Sequence, residues 1–365
     1  MKYFTKLKLS GYKSIKDVSF TLQPGVNIFI GPNGSGKSNL LEFIEAIQYK
    51  FEPLKTNLFA LLEWVDEGKI YKISFSQNFD FDWKDDLNKI SLSKKVDFKF
   101  FLENVETIVS DEEFVDLPDN FVTPQIVILN FPRGKEHKFL SYPINLIGSD
   151  SSSVVEYIMS SPMDLFQREI GFSSLWHLTN DDSETLLLFK GRFERGKSAL
   201  RNFLEKYSNV LDVRLKNILS FTRKNDQKIF ENIQLEFKLK DGWYNWTDLS
   251  DGTKRIVEII YCVSRSNGVI LLEEPELGIH PHQLDLLCEF LKEQAEEKQI
   301  LISTHSPEVL DRLANKELTN INLVSMKKGA TQVKKLTPKQ REKAKHYLEE
   351  ESFLSDYWKY SDLEK

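Results

Sequence analysis

Eight consecutive residues, Gly31-Pro32-Asn33-Gly34-Ser35-Gly36-Lys37-Ser38, constrain this chain more than anything else in it. They fit the pattern G-x-x-x-x-G-K-[ST] without a mismatch. The context is also the required one. Val26 to Ile30 is a short, mostly apolar strand, and Leu40, Leu41, Ile44 and Ile47 follow at helical spacing. The glycines let backbone N–H groups converge on phosphate oxygens, and the N-terminus of the following helix adds positive potential. Asn33, Gly34, Ser35, Gly36, Lys37, Ser38 and Asn39 are therefore expected around a bound ATP. Lys37 supplies charge for the β- and γ-phosphates, and the Ser38 hydroxyl is a ligand for Mg²⁺.

Composition excludes several classes. A hydrophobic share of 41% with 26 Phe in 365 residues is ample for a core, and the length suggests about two domains. Apolar runs such as Val269-Ile270-Leu271-Leu272 are far short of the ~20 residues that span a bilayer. The first ten residues intersperse Lys with apolar positions, unlike a signal peptide. Two cysteines, Cys262 and Cys288, support neither a disulfide framework nor a cysteine-built zinc site. The expectation is a soluble, cytoplasmic protein with no membrane partner. A net charge of −6 argues against a surface that is basic all over, though not against a local basic patch.

The pattern then divides the chain. Residues 1–147 read as an N-terminal lobe holding the Gly-rich loop and an antiparallel sheet, with period-2 alternation at Tyr71, Ile73, Phe75 and again at Val96, Phe98, Phe100. Residues 148–228 read as a helical insertion. Between 183 and 228 there are eleven Lys/Arg against five acids, and Leu200, Phe203, Leu204, Leu211, Leu215, Ile218 and Leu219 have roughly helical periodicity. One face is then core and the other basic, so Arg192, Arg195, Lys197 and Arg201 are candidate nucleic-acid contacts; a solvated helix face is the equal alternative. Residues 229–325 read as a hairpin followed by alternating helix and strand, which implies a parallel sheet. Residues 326–365 form a C-terminal tail.

Two more strands end in chemistry. Val269 to Leu272 runs into Glu273-Glu274-Pro275-Glu276, which places carboxylates at the sheet edge where the Gly-rich loop also ends. Glu273 is expected to hold Mg²⁺ with Ser38, and Glu274 to polarise the attacking water. Ile300-Leu301-Ile302 runs into Ser303-Thr304-His305-Ser306-Pro307, where His305 is placed to sense a γ-phosphate. His280 and His282 invite a metal reading, but a phosphate-bound Mg²⁺ already accounts for the acids. Leu249-Ser250-Asp251-Gly252-Thr253 precedes a helix that Ser250 can cap, and its free amides suit a second phosphate. By itself that stretch is an ordinary helix cap.

In this order, the four elements resemble an ABC-type ATPase, and more closely the branch containing SMC, RecF, RecN and the OLD-like ATPases of phage-defence and DNA-repair systems. Leu9-Ser10-Gly11-Tyr12-Lys13-Ser14-Ile15 is similar to that branch's N-terminal strand, Leu249 to Thr253 to its signature loop, and Glu273 to Pro281 to its Glu-Glu-Pro-Glu…His-Pro stretch. The resemblance implies an α/β P-loop NTPase, an ABC-type head with an antiparallel β lobe and an inserted, mainly helical segment. It implies that Lys13 lies near the nucleotide, that Glu274 and His305 are catalytic, and that Ser250, Asp251 and Gly252 act in trans on a second copy. The chain would then be a Mg-dependent ATPase that dimerises head to head. It would serve as a regulatory or DNA-sensing subunit with a separately encoded effector such as a nuclease. Glu273 departs from the Asp of transporters, and no glutamine is firmly placed in the Q-loop; Gln125 fits by spacing alone. The tail is too short for the Toprim nuclease domain of OLD proteins. A self-contained ATP-gated nuclease is the alternative, with Lys339, Arg341, Lys345, His346 and Glu350 as its cluster, although they also read as a charged helix.

Overall fold

In the computed structural model, residues 2–48, 57–83, 90–102, 105–110, 126–129, 140–141, 182–216, 220–224, 227–231, 234–266, 269–349 and 354 are described. The chain opens with β1 (Tyr3–Ser10), β2 (Val18–Thr21) and β3 (Val26–Ile30), then α1 (Lys37–Gln48). Four antiparallel strands follow: β4 (Leu58–Asp66), β5 (Lys69–Trp83), β6 (Ile90–Leu102) and β7 (Val105–Ser110). Next come β8 (Ile126–Leu129), β9 (Leu140–Ser141) and the long α2 (Asp182–Tyr207). Five short strands lie between α2 and the signature stretch: β10 (Asp212–Leu215), β11 (Ser220–Lys224), β12 (Gln227–Glu231), β13 (Leu235–Leu239) and β14 (Gly242–Asn245). The last third is α3 (Asp251–Arg265), β15 (Val269–Glu273), α4 (Pro281–Gln294), β16 (Ile300–Thr304), α5 (Pro307–Leu313), β17 (Ile321–Lys327), β18 (Ala330–Lys335) and α6 (Pro338–Glu349).

Two large sheets organise these elements. One is antiparallel, in the order β2-β1-β4-β5-β6-β7. The other runs β18-β17-β3-β16-β15-β8-β9, parallel from β17 to β8 with an antiparallel strand at each edge. Central parallel strands are covered on both faces, so they read as unbroken apolar runs. β16 is buried at all five positions. Their side chains still alternate between faces. Ile28, Ile30, Ile270, Leu272, Ile300 and Ile302 enter one core with α2, α3, α4 and α5. Phe29, Val269, Leu271, Leu301 and Val324 enter the other, with α1 and the antiparallel sheet. Gln299 ties the sheets together, accepting from Phe4 N at 2.9 Å and donating to Phe4 O at 2.8 Å.

Two sequence expectations need correction. The helical periodicity projected through Leu211 and Leu215 stops at Tyr207, where Ser208 Oγ donates to Leu204 O at 2.7 Å. Leu211 then bonds Lys238 O, and Leu215 sits in β10, antiparallel to β13. The segment drawn as a tail from residue 326 begins inside β17 and continues into β18, so it completes the central sheet.

Candidate functional site

Parallel register brings three chain turns to one sheet edge. Thr304 pairs with Ile30 and Glu273 with Ser303. Gly31, Glu274 and His305, each one residue further on, therefore leave the sheet side by side at its carboxyl edge, where ligands of open α/β sheets bind.

The Gly-rich loop sits on that edge. Lys37 is 6% exposed, and its Nζ donates to the carbonyls of Gly31 at 2.7 Å and Pro32 at 3.1 Å. The ammonium thus lies across the loop it belongs to. Gly36 has φ +95°, and a Cβ there would stand 1.9 Å from Thr331 Oγ1, so only glycine fits. Ser35 Oγ is buried with no hydrogen-bond partner among the described residues. Ser38 begins α1 beside Lys37, and its hydroxyl reaches the Glu273 carboxylate.

Burial pushes the Glu273 carboxyl above the usual carboxylate range. Glu274 and Glu42 push it the same way, while Ser38 and Lys37 oppose. A carboxyl and a hydroxyl at this edge suit Mg²⁺, which takes oxygen ligands, keeps several waters and uses phosphates rather than an all-protein cage. His280 instead caps α4, its Nδ1 accepting from His282 N at 3.4 Å.

Glu274 has φ +43°, the left-handed region that a non-glycine residue rarely adopts. Its Oε1 lies 3.1 Å from His305 Nδ1. Arg255 of α3 donates through Nη2 to the carbonyls of Glu273 at 3.0 Å and Glu274 at 2.5 Å. The next acid, Glu276, is half-buried and accepts from Thr304 Oγ1 at 2.5 Å, and Thr304 Oγ1 in turn accepts from Ser306 N at 2.9 Å. That chain shapes the turn carrying His305. Spacing singled out none of Arg255, Glu276 or Thr304 for these contacts; the common signal is polarity at half-buried or buried positions beside a strand end.

The signature stretch behaves as a cap. Ser250 Oγ accepts from Thr253 N at 3.2 Å. Ser250 and Asp251 are exposed, the Asp251 side chain at 98%, so the N-terminus of α3 opens to solvent. Gly252 is buried, and a Cβ on it would meet Gly278 O at 2.3 Å. Lys13, at φ +46°, is paired with Glu42, which also accepts from Tyr12 Oη at 3.3 Å. Asn39 Nδ2 donates to Ser14 Oγ at 2.7 Å.

The basic helix face is partly spent inside the fold. Lys197 pairs with Glu194 at 2.9 Å and Asp212 at 3.7 Å, and Lys206 with Glu293 at 2.6 Å. Arg214 pairs with Glu236 and stacks on Trp243. Arg195 and Arg201 are exposed; the Arg192 side chain lies outside the description. In the C-terminal cluster Lys345 pairs with Glu317 at 2.5 Å, Lys339 and His346 are exposed, and Glu350 falls outside the described residues, as does Gln125.

A family model described as "AAA domain, putative AbiEii toxin, Type IV TA system" matches residues 26–311. The chain is similar to a "Retron Vc95 probable ATPase" of Vibrio cholerae serotype O1 biovar El Tor, 24% identical over 87% of this chain and 73% of that protein. It is similar to an OLD nuclease of Thermus scotoductus, 20% identical over 83% of this chain and 58% of that protein. Over only 12% of its length it is 43% identical to the DNA replication and repair protein RecF of Acidothermus cellulolyticus, covering 11% of that protein. Among solved structures it resembles an Smc head domain bound to the C-winged helix domain of ScpA, at TM-score 0.50 and 16% identity over 93% of this chain and 99% of that one. It also resembles the Smc head with an extended coiled coil bound to the C-terminal domain of ScpA derived from Pyrococcus furiosus, at TM-score 0.52 and 16% identity over 96% and 99%. At these identities the structural likeness concerns the fold.

Proposed function

Because the chain belongs to the AAA-domain family whose model matches residues 26–311, we propose that it is an ATP-operated switch: two copies close head to head on ATP and Mg²⁺, and the closed pair controls a separately encoded effector. Its class, a P-loop ATPase of the SMC/RecF/OLD-like kind, follows from the family and from its relatives. The observation that carries the finer reading is the meeting of Ser38, Glu273, Glu274 and His305 at the edge where the P-loop ends.

In this reading the P-loop amides and Lys37 grip the triphosphate, leaving the Gly31 and Pro32 carbonyls as it enters. Ser38 and Glu273 hold the magnesium ion, which when bound neutralises charge on the β- and γ-phosphates. Glu274 accepts a proton from the attacking water, and His305, hydrogen-bonded to it, holds the carboxylate toward the γ-phosphate. The exposed N-terminus of α3, with Ser250, Asp251 and Gly252, covers the γ-phosphate bound by the other copy. These contacts exist only when the triphosphate is intact, so hydrolysis lets the copies part.

The relatives named as a retron ATPase, an OLD nuclease and RecF support a role in phage defence or DNA repair. The partner in this reading is a nuclease or toxin encoded elsewhere, with DNA sensed through Arg195 and Arg201. Steady-state phosphate release with and without Mg²⁺ tests the chemistry, and co-purification of the native complex tests the partner. An Mg²⁺-independent or Lys37→Ala-insensitive turnover would end the reading.

A further inference from the structure

We propose that Thr331 and Ser14 are positioning residues for the P-loop, a pair of hydroxyls that fixes the Ser35–Gly36 peptide in its phosphate-binding conformation. The inference rests on the nucleotide reading above and deepens it, because neither residue belongs to the P-loop or follows from its motif.

Four elements converge on these hydroxyls. Thr331 of β18 is fully buried, and its Oγ1 lies 3.1 Å from Ser35 O. Ser14, in the turn after β1, has its Oγ 2.7 Å from Thr331 Oγ1. Asn39 of α1 has its Nδ2 2.7 Å from Ser14 Oγ. The direction of the chain is fixed from its carbonyl end. Ser35 O can only accept, so Thr331 must donate its single hydroxyl proton there. Ser14 must then donate to Thr331, and Asn39 must donate to Ser14. Each hydroxyl both donates and accepts, so neither can rotate away without leaving a buried partner unpaired. A backbone bond from Thr331 N to Ser14 O, 2.9 Å, holds the two hydroxyls in register.

The loop is shaped to receive them. At Gly36 the missing Cβ is the space that Thr331 Oγ1 occupies, 1.9 Å from where the carbon would be and with Ser14 Oγ 2.9 Å from it. On the neighbouring strand, the carbonyl of Val324 stands 1.9 Å from the position of a Gly31 Cβ. The β17–β18 hairpin therefore braces the P-loop from behind at both glycines. Its hydroxyls set the direction of the peptide amides without reaching the phosphates themselves.

A brace of this kind favours bound substrate and transition state equally, so its loss raises KM and leaves kcat. The test is Thr331→Val, which keeps the shape and removes the hydroxyl, compared with Thr331→Ser, which keeps the hydroxyl. Losing a charge-neutral hydrogen bond and orphaning Ser35 O should raise both KM for ATP and the Kd of a fluorescent ATP analogue about tenfold in the valine variant, with kcat within about twofold. Thr331→Ser should bind like the wild type. Equal affinity in wild type and Thr331→Val would overturn the proposal, as would a serine variant as impaired as the valine one. Should Thr331→Val not fold, Ser14→Ala removes the donor to Thr331 from outside the strand and should raise KM about threefold; an unchanged KM would again overturn it. A wild-type protein that binds no ATP analogue would instead remove the underlying reading of the site.

Discussion

Lys37 and Glu258 show how differently two buried charges serve one molecule. Lys37 donates to the Gly31 and Pro32 carbonyls, so its charge already sits at the mouth of the P-loop. Lys37→Ala should lower kcat/KM for ATP about a hundredfold or more, as steady-state kinetics will read, because the developing phosphate charge loses its partner. Glu258 of α3 is 1% exposed, and neither carboxylate oxygen has a hydrogen-bond partner among the described residues. Burial pushes its carboxyl up to about 8, against the pull of Arg255 and Lys254. The folded state therefore binds a proton that the unfolded chain has released above its ordinary pKa of 4.5. The stability this proton confers is complete below pH 4.5 and is lost progressively as pH rises from there through 8, by up to ~5 kcal/mol. Glu258→Gln should flatten the fall in melting temperature between pH 6 and pH 9; a parallel fall in wild type and variant would refute the assignment. That Lys37, Ser38, Glu273 and His305 gather at one sheet edge was legible in the sequence, because each follows an apolar strand at a short, fixed spacing. Glu258, Thr331 and Arg255 were not, because their roles depend on which distant residues the fold presses against them.

Among the elements, α3 is the one whose first two turns touch two different parts of the site. Its first turn carries Ser250, Asp251 and Gly252, and one turn later Arg255 holds the carbonyls of Glu273 and Glu274. The guanidinium is pulled down only to about 10 by burial, so it stays charged at neutral pH. Two charge-assisted bonds to consecutive carbonyls are what keep Glu274 at φ +43° with its carboxylate toward His305. Arg255→Met retains the packing and removes both bonds. It should lower kcat about tenfold with little change in KM, as steady-state kinetics will read, since the triphosphate grip lies elsewhere. The alternation of β15, α4, β16 and α5 could be read directly, because buried parallel strands and amphipathic helices have distinct periods. The end of α2 could not. Nothing like Gly or Pro marks Tyr207, and Leu211 and Leu215 happen to continue its period although cross-strand pairing with β13 claims them. The same blindness hid β17 and β18, whose value lies in long-range pairing with β3 and the P-loop rather than in any local motif.

For the whole molecule, the question is how a nucleotide held by one copy could be felt by another. Gly252 is packed onto the Gly278 carbonyl, and Arg255 onto the Glu273–Glu274 turn, so the N-terminal end of α3 and the carboxyl end of β15 move as one body. Anything that binds the exposed N-terminus of α3 is therefore energetically linked to Glu274 of the same chain, and the linkage is reciprocal. If that ligand is the γ-phosphate of a second copy, closing the pair and arming the attacking carboxylate are one event seen from two sides. Glu274→Gln should then bind ATP without cleaving it and accumulate as a dimer in ATP and Mg²⁺, measured by light scattering. Adding Gly252→Ala should return it to monomer with ATP still bound, because its methyl group would stand 2.3 Å from the Gly278 backbone carbonyl and must push α3 off the turn it packs on. A Glu274→Gln protein that stays monomeric in saturating ATP would break the link between the first turn of α3 and Glu274. The signature residues would then be what their local chemistry already makes them, the cap of a helix.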